Sequence, residues 1–455
     1  MAETRESVVD SLLELIEAFP DEELRTFLVD YRPVDLATAL GRLPEERAIR
    51  IFSCLDEELA ADVLAEADEE LAALLTEGIP EEDLSDILEE MEPDDAADVL
   101  GDIEDESRAR RVLDLMADVE RGEVEGLLVH DEETAGGIMT SEYLAFPETW
   151  TVQSTIEFLR QAPPEIHFNT AFTLDEEGRL KGLIPIQALV WSAPERTLKE
   201  IADRDVISVT VDTDQEEVAR LFARYDLLTL PVIDSEGRLT GRITVDDVLD
   251  VVQEENSEDM FKLAGSSDEE LVTRSALSVI GMRLPWLLVA LAGGFACAMI
   301  LGVFEQELSH YTYLAFYLPV IMSMGGNIGT QSSTLIVRGL ATGQIESGEL
   351  IGTILKEVRV GAMIGVVCGF LAGAFGAFYA GLHGNPSKAG FIVALSMSAS
   401  MTTSTLFAST IPLTFSRLRI DPAVASGPFI SMFNDALGLV IYLSSIRLLS
   451  SHFPV

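Results

Sequence analysis

Ionisable side chains become scarce at Gly281, and that break constrains the fold more than any other feature of the chain. From Gly281 onward there are seven acids and eight bases, against 71 acids and 22 bases in residues 1 to 280, so the net −48 of the whole chain is a −49 confined to its first part. Such a charge density needs water around it, whereas the nearly neutral remainder does not. Five apolar stretches follow one another in that remainder, at 284–304, 312–341, 359–382, 390–415 and 422–449. Each supplies the ~20 residues that a helix needs to cross hydrocarbon. The expectation is a polytopic α-helical membrane domain with five spans over 281–455.

The loops orient it. Arg338, Lys356 and Arg359 fall between the second and third stretches and Arg417 and Arg419 between the fourth and fifth, while "EQELSHY" and "HGNPSK" on the other side share one lysine. Basic loops stay in the cytosol, which predicts a multi-pass protein of the cell membrane with its N-terminus cytosolic and its C-terminus outside. The start, "MAETRESVVDSLLELIEAF", carries acids through its first apolar stretch and shows no small-residue cleavage pattern, so no secretory signal is expected. Cys54, Cys297 and Cys368 lie far apart, two of them in apolar runs, and read as small buried hydrophobes rather than a disulfide or zinc site.

The acidic part divides further. Over residues 1–132, blocks such as "DEELAADVLAEADEELAALL" and "PEEDLSDILEEMEPDDAADVLGDI" open on Pro or acids and space Leu, Ile, Val and Ala by three and four. That pattern predicts an all-α superhelix of short antiparallel helices. Over 133–252 one α+β unit occurs twice, first through "GIMTSEYLAFPETWTVQSTIEFLR" to "AFTLDEEGRLKGLIPIQALV", then through "DVISVTVDTDQEEVARLFARYDLLTLPVIDSEGRLTGRITVDDVLDVV". Each copy predicts a strand, a helix, a strand pair turning tightly at Glu177-Gly178 or Glu236-Gly237, and a second helix. The twin "EGRL" turns make the two copies resemble a tandem CBS-domain pair. CBS pairs that bind adenine nucleotides use a Thr or Ser on phosphate and an Asp three residues later on ribose. The second copy has Thr244 and Asp247 there, but the first has Pro185 and Ala188, so ATP binding is not expected.

Residues 253–280 continue the last CBS helix towards the membrane. Asp247, Asp250, Glu254 and Glu258 stand three or four apart on one helical face, where like charges repel. Such a row is either a solvated face or a place for hard divalent cations, which take carboxylate oxygens.

Within the membrane half, "PVIMSMGGNIGTQSST" (319–334) carries backbone-exposing glycines and side-chain amides inside an apolar run. Such groups are tolerated in hydrocarbon only against protein or a wet cavity, so Gly325, Gly326, Asn327, Gly329 and Gln331 are expected to face the interior of an assembly. Tight helix packing alone would explain the glycines but not the amides. Asp435 lies midway along the last stretch with no base within ten positions. An ionised carboxylate there costs at least ~2.5 kcal/mol, which marks a cation site. Gly-, Ala- and Ser-rich stripes such as "GFLAGAFGAF" suggest packing against further helices, and hence a homodimer in the lipid bilayer.

The order of acidic helical domain, CBS pair, acidic connecting helix and membrane domain, with "PVIMSMGGNIGTQSST", "VRGLATG" and "DPAVASGPF…NDALG", resembles the MgtE family of magnesium channels along essentially the whole chain. The resemblance implies a homodimeric pore on the two-fold axis, lined by the second and fifth spans, with Asp435 in the place of the pore aspartate. It also implies closure by cytosolic Mg²⁺ bound between the N-terminal domain, the CBS pair and a connecting plug helix. The matching acids are Asp95 and Asp98, Asp214, Glu216 and Asp226, and the series Asp247, Asp250, Glu254, Glu255, Glu258 and Asp259. Mg²⁺ would be both cargo and regulator. No serine–base pair, Walker loop or cysteine–histidine cluster is present, so neither an enzyme nor an ATP-driven pump is expected, and no nucleic-acid partner. A coupled exchanger would need a second ion site, and Asp435 reads as the only acid deep in a span. A non-conducting magnesium receptor would need no acid there at all.

Overall fold

The computed structural model describes residues 2–19, 21–103, 105–161, 168–267, 270, 275–345, 350–382, 388–418, 420–423 and 427–452. Arg419 and most of "HGNPSK", used in the charge argument above, lie outside the described residues, as does part of the 253–280 connection. The chain forms two units, Met1–Val252 and Gln253–Val455.

The first unit opens with ten short helices: α1 (Ala2–Ala18), α2 (Asp21–Leu28), α3 (Pro33–Gly41), α4 (Glu45–Phe52), α5 (Glu57–Ala65), α6 (Glu69–Gly78), α7 (Glu81–Glu89), α8 (Pro93–Gly101), α9 (Glu106–Leu115) and α10 (Asp118–Leu127). Local chemistry starts them. Asp56 and Asp68 cap α5 and α6 by accepting from the Leu59 and Leu71 amides at 3.1 and 2.9 Å, and Pro opens α3 and α8. From α2 on, each helix is too short to be stable alone, and the helices pack on those two places along, α1 on α3, α3 on α5, α5 on α7 and α7 on α9, which winds the row into a superhelix.

Two matching α/β units follow. β1 (Ala145–Pro147), α11 (Val152–Leu159), β2 (Thr170–Leu174), β3 (Leu180–Pro185) and α12 (Ile186–Trp191) form the first; a short helix, α13 (Leu198–Ile201), links it to the second. That second unit has β4 (Val209–Thr210), α14 (Gln215–Tyr225), β5 (Thr229–Ile233), β6 (Leu239–Thr244) and α15 (Val245–Ala264). Both sheets run in sequence order with a parallel first pair and an antiparallel second pair. Both hairpins turn at a glycine with positive φ, Gly178 at 79° and Gly237 at 81°, a conformation that L side chains rarely adopt. Asp175 and Asp234 brace these turns by accepting from the amides two and four residues on. The two turns also bond each other, Leu180 N to Gly237 O and Leu239 N to Gly178 O.

One boundary differs from expectation. Gly136–Thr140, read above as opening the first copy, bonds instead to the second: Gly136 N donates to Val211 O, and Thr140 pairs with Arg242. The second copy also shares one apolar core with the helical superhelix, running from Leu12 and Phe52 to Leu230 and Ile243, whereas the first copy keeps its own around Phe146 and Ile184.

In the second unit, α16 (Ala276–Val303), α17 (Glu305–His310), a 3₁₀ turn (Thr312–Tyr317), α18 (Leu318–Ala341), α19 (Leu350–Leu382), α20 (Ala389–Arg417) and α21 (Pro428–His452) follow the end of α15. Among the described residues four of these, α16, α19, α20 and α21, are long and apolar enough to cross a membrane. α18, the second expected span, has 24 residues, which at ~1.5 Å each is length enough, but its Gly, Asn, Gln and Ser dilute its hydropathy. It packs on α20 and α21, while α19 lies against α20. Tyr442, fully buried, ties α21 to the 3₁₀ turn by donating to Leu314 O at 2.7 Å.

Candidate cation sites

α18 has two polar faces with different surroundings. Gly325, Gly329 and Ser333 are buried on one face. Gly325 looks onto Ser400 and Ser404 of α20, and Gly329 leaves room for the Asn434 side chain of α21. Gly325 was expected to line a pore; it is buried instead in the helix packing within one protomer, as is Gly329, where the side chains of Ser400, Ser404 and Asn434 crowd the space that a Cβ would take. The opposite side of α18 exposes Ser323, Asn327, Thr330, Gln331 and Thr334. Asp435 follows Asn434 on α21 and is half-buried; a Cβ at Gly326 would stand 3.6 Å from its Oδ1. The structure therefore brings Gly326 and Asp435 together.

The acids of the first unit gather where α8 begins. Asp94 is buried, 6% exposed, and Asp95 is half-buried beside it. Burial, then the neighbouring Asp95, Asp247 and Glu92 carboxylates, pushes Asp94 well above the usual carboxylate range. Burial together with Glu92, Asp247, Asp98 and Asp246 pushes Asp95 up to about 7. Asp247 is also raised by burial, although Thr244 donates to its Oδ2 from both Oγ1 (2.5 Å) and N (3.1 Å). These carboxylates crowd each other with Arg242 as the nearby base, an arrangement that a bound cation would relieve. Among the described residues no three carboxylate, imidazole or thiol groups converge as a ready metal cage.

Asp98 adds its charge to this cluster; the other expected sensor acids have other local partners. Asp98 is exposed one turn further along α8. Asp214 caps α14 by accepting from Glu216 N at 2.9 Å, Glu216 pairs with Arg220 at 2.8 Å, and Asp226 ends that helix in the left-handed conformation at φ 50°. Asp250 and Glu254 are exposed on α15 and Glu255 is half-buried. Glu258 and Asp259 belong to a second cluster, with Lys262 and Asp421. The Lys262 ammonium pairs with Glu258 and, at 2.8 Å, with Asp421. Burial opposes that ammonium, but the two carboxylates outweigh it and hold its pKa above that of an ordinary lysine, while burial and Asp421 raise Asp259. Arg338 of α18 donates to Asn256 of α15 in the same unit.

Four participants were not singled out from sequence: Asp94, Asp421, Asn434 and Glu357. Asp94 stands in the "PDDAAD" run, where its position in the first helical turn next to a Pro marked it as readily as Asp95. Glu357 is a second acid, besides Asp435, carried within a long apolar helix. α19 begins nine residues before the apolar stretch that announced it, and within it Glu357 is buried, 6% exposed, accepting from Ser332 of α18 at 3.1 Å. At Pro185, which precedes α12, and at half-buried Ala188, the first CBS copy offers neither a hydroxyl nor a carboxylate.

Comparisons with known proteins cover most of the chain. The family described as "Divalent cation transporter" matches residues 318–445, the "MgtE intracellular N domain" matches 31–133, and the CBS domain matches 198–254. The magnesium transporter MgtE of Thermus thermophilus is 40% identical over 343 residues, 75% of each chain, and that of Bacillus subtilis 34% identical over 331 residues, 72% of each. Among solved structures, the cytosolic domain of the Mg²⁺ channel MgtE in complex with ATP aligns at a TM-score of 0.51 with 40% identity, over 53% of this chain and 99% of that one. The soluble part of a magnesium transporter aligns at 0.50 with 28% identity, over 56% and 99%.

Proposed function

Because this chain belongs to the MgtE family of magnesium transporters, which are not enzymes, we propose that it works as a homodimeric Mg²⁺ channel that cytosolic Mg²⁺ closes. The observation that carries the reading is the exposed polar side of α18, Asn327, Thr330, Gln331 and Thr334, on a protomer whose other long helices expose chiefly apolar side chains. Polar side chains at membrane depth need protein or a water-filled cavity beside them, and a second copy across a two-fold axis supplies both. Asp435, against Gly326 at the edge of that side, would then meet its symmetry mate, two carboxylates for one divalent ion. With α18 counted, the membrane domain has five spans, with the N-terminus cytosolic and the C-terminus outside.

The Asp94–Asp95–Asp247 cluster and the Glu258–Asp259–Asp421 cluster supply the sensor. Each concentrates carboxylates whose repulsion cations relieve, and a ligand shifts the equilibrium only by preferring one state. Asp98, Asp214, Glu216, Asp226, Asp250, Glu254 and Glu255 would join them on compaction. ATP is not a required partner, since Pro185 and Ala188 stand where a first-copy nucleotide site needs polar groups.

Glu357 favours a second reading. A buried acid bonded to Ser332 could be the second ion site of a cation-coupled exchanger. Purified protein in liposomes separates the two: Mg²⁺ flux without any Na⁺ or H⁺ gradient supports the channel, and strict dependence on such a gradient supports the exchanger.

A further inference from the structure

Along α20, Ser398, Thr402, Thr403, Thr405, Ser409 and Thr410 each donate to the carbonyl four residues back at 2.7 or 2.8 Å. That is the ordinary way for a hydroxyl to be satisfied inside a helix. Ser396, Ser400 and Ser404, interleaved with them, do not follow it. All three are fully buried, and no protein group accepts from or donates to their Oγ atoms. Spaced by four, they share one face. A Cβ at Gly325 of α18 would stand 3.2 Å from Ser404 Oγ and 3.3 Å from Ser400 Oγ, and one at Gly438 of α21 would stand 2.9 Å from Ser400 Oγ. One turn along α18, in the space that Gly329 leaves, sits Asn434, 1% exposed, with both Oδ1 and Nδ2 lacking a protein partner. Ser333, one further turn on, is equally buried and equally unpartnered.

Buried polar groups are satisfied by protein or by bound solvent. Here the orphans are neutral, include both donors and acceptors, and cluster where three glycines, Gly325, Gly329 and Gly438, withhold their side chains. A divalent ion would want carboxylates, and it could not accept from Asn434 Nδ2. Water does both. We propose that the junction of α18, α20 and α21 is a hydration site whose ordered waters bridge Ser400, Ser404 and Asn434, and that Asn434 so held is a positioning residue for Asp435. The second half rests on the channel reading, because it assigns Asp435 the pore. A hydrated mount fixes the amide without a dry side-chain contact, and therefore fixes the rotation of α21 that aims the next residue.

The test uses the full chain in lipid nanodiscs and X-ray radiolytic labelling, which oxidises side chains beside bound water. Met401, next to Ser400 in the chain and 1% exposed, is expected to be labelled in spite of its burial. In the S400A/S404A double variant its labelling should be largely lost, with the exposed Met260 as an unchanged reference. In liposomes, Asn434→Ala should lower discrimination of Mg²⁺ over Ca²⁺ by about ten-fold, as expected for loss of one well-placed hydrogen-bonding group. Unlabelled Met401 in the wild type, or equal labelling in the double variant, overturns the hydration site whatever the flux. Labelled Met401 with wild-type discrimination in Asn434→Ala overturns the positioning role. Absence of Mg²⁺ flux in the wild type refutes the channel reading and leaves the labelling result standing.

Discussion

Replacing Asp95 by Asn should stabilise the acidic unit in the absence of divalent cations, and the gain should appear as pH rises. In the unfolded chain this carboxyl ionises near 3.8; in the fold it does so only at about 7, because it is buried among Glu92, Asp247, Asp98 and Asp246. Between those values the folded state holds a proton that the unfolded state has lost, so folding stability declines as pH rises through the window, and above pH 7 the whole penalty is present. At ~1.36 kcal/mol per pH unit the displacement amounts to about 4 kcal/mol. Asp95 is only half-buried, and screening by solvent leaves about 2 kcal/mol, or roughly thirty-fold in the unfolding equilibrium. Urea unfolding of a soluble fragment spanning residues 1–262 in EDTA, from pH 4 to 8, reads this directly. The wild type should lose stability towards pH 8 while Asp95→Asn loses much less. Saturating Mg²⁺ should rescue the wild type and help the variant far less, since an amide gives up the charge that attracts the ion. An Asp95→Asn fragment with the wild-type pH dependence, or one less stable at pH 8 in EDTA, would refute the crowding argument.

Asp435→Ala should abolish divalent flux in liposomes while the dimer still forms by cross-linking, and Asp435→Asn should conduct with most of its selectivity lost; wild-type flux in the Ala variant would sink the site. Gly329→Ala should lower the melting temperature of the protein in detergent, because a β-carbon there enters the space of the Asn434 amide, an overpacking cost of roughly 1–3 kcal/mol; an unchanged melting temperature would mean that α18 and α21 are free to separate. Calorimetry with ATP should give a dissociation constant weaker than about 100 μM, roughly −5.5 kcal/mol, since Pro185 and Ala188 offer the ligand nothing polar; tighter binding would show that Thr244 and Asp247 suffice.

What could be read in advance was what local chemistry decides. Each hairpin turn sets a glycine at positive φ, which L side chains rarely adopt, with an Asp three residues before it as brace, so "DEEGRL" and "DSEGRL" announced their hairpins. Pro and acids at helix starts announced the short helices of the superhelix, and the near absence of charge announced the long ones. What could not be read depended on neighbours distant in sequence. Nothing in Gly136–Thr140 says that its hydrogen bonds go to Val211 and Arg242 rather than to the copy it introduces. Glu357 hid because a span is recognised by its apolar stretch, whereas the helix that carries it starts earlier. α18 shows the limit most clearly. Its glycines, serines and amides form one polar segment in sequence, and its hydropathy sums them all. In the fold they separate: Gly325, Gly329 and Ser333 turn towards the buried serines and Asn434, and Asn327 and Gln331 turn outward. The first group meets buried hydroxyls and the Asn434 amide at close range, whereas the second is exposed on the protomer. On the channel reading, only the second faces a partner copy. Substitutions on the buried side should therefore act first on stability, and those at Asn327 and Gln331 first on conduction, although the two sets alternate within nine residues.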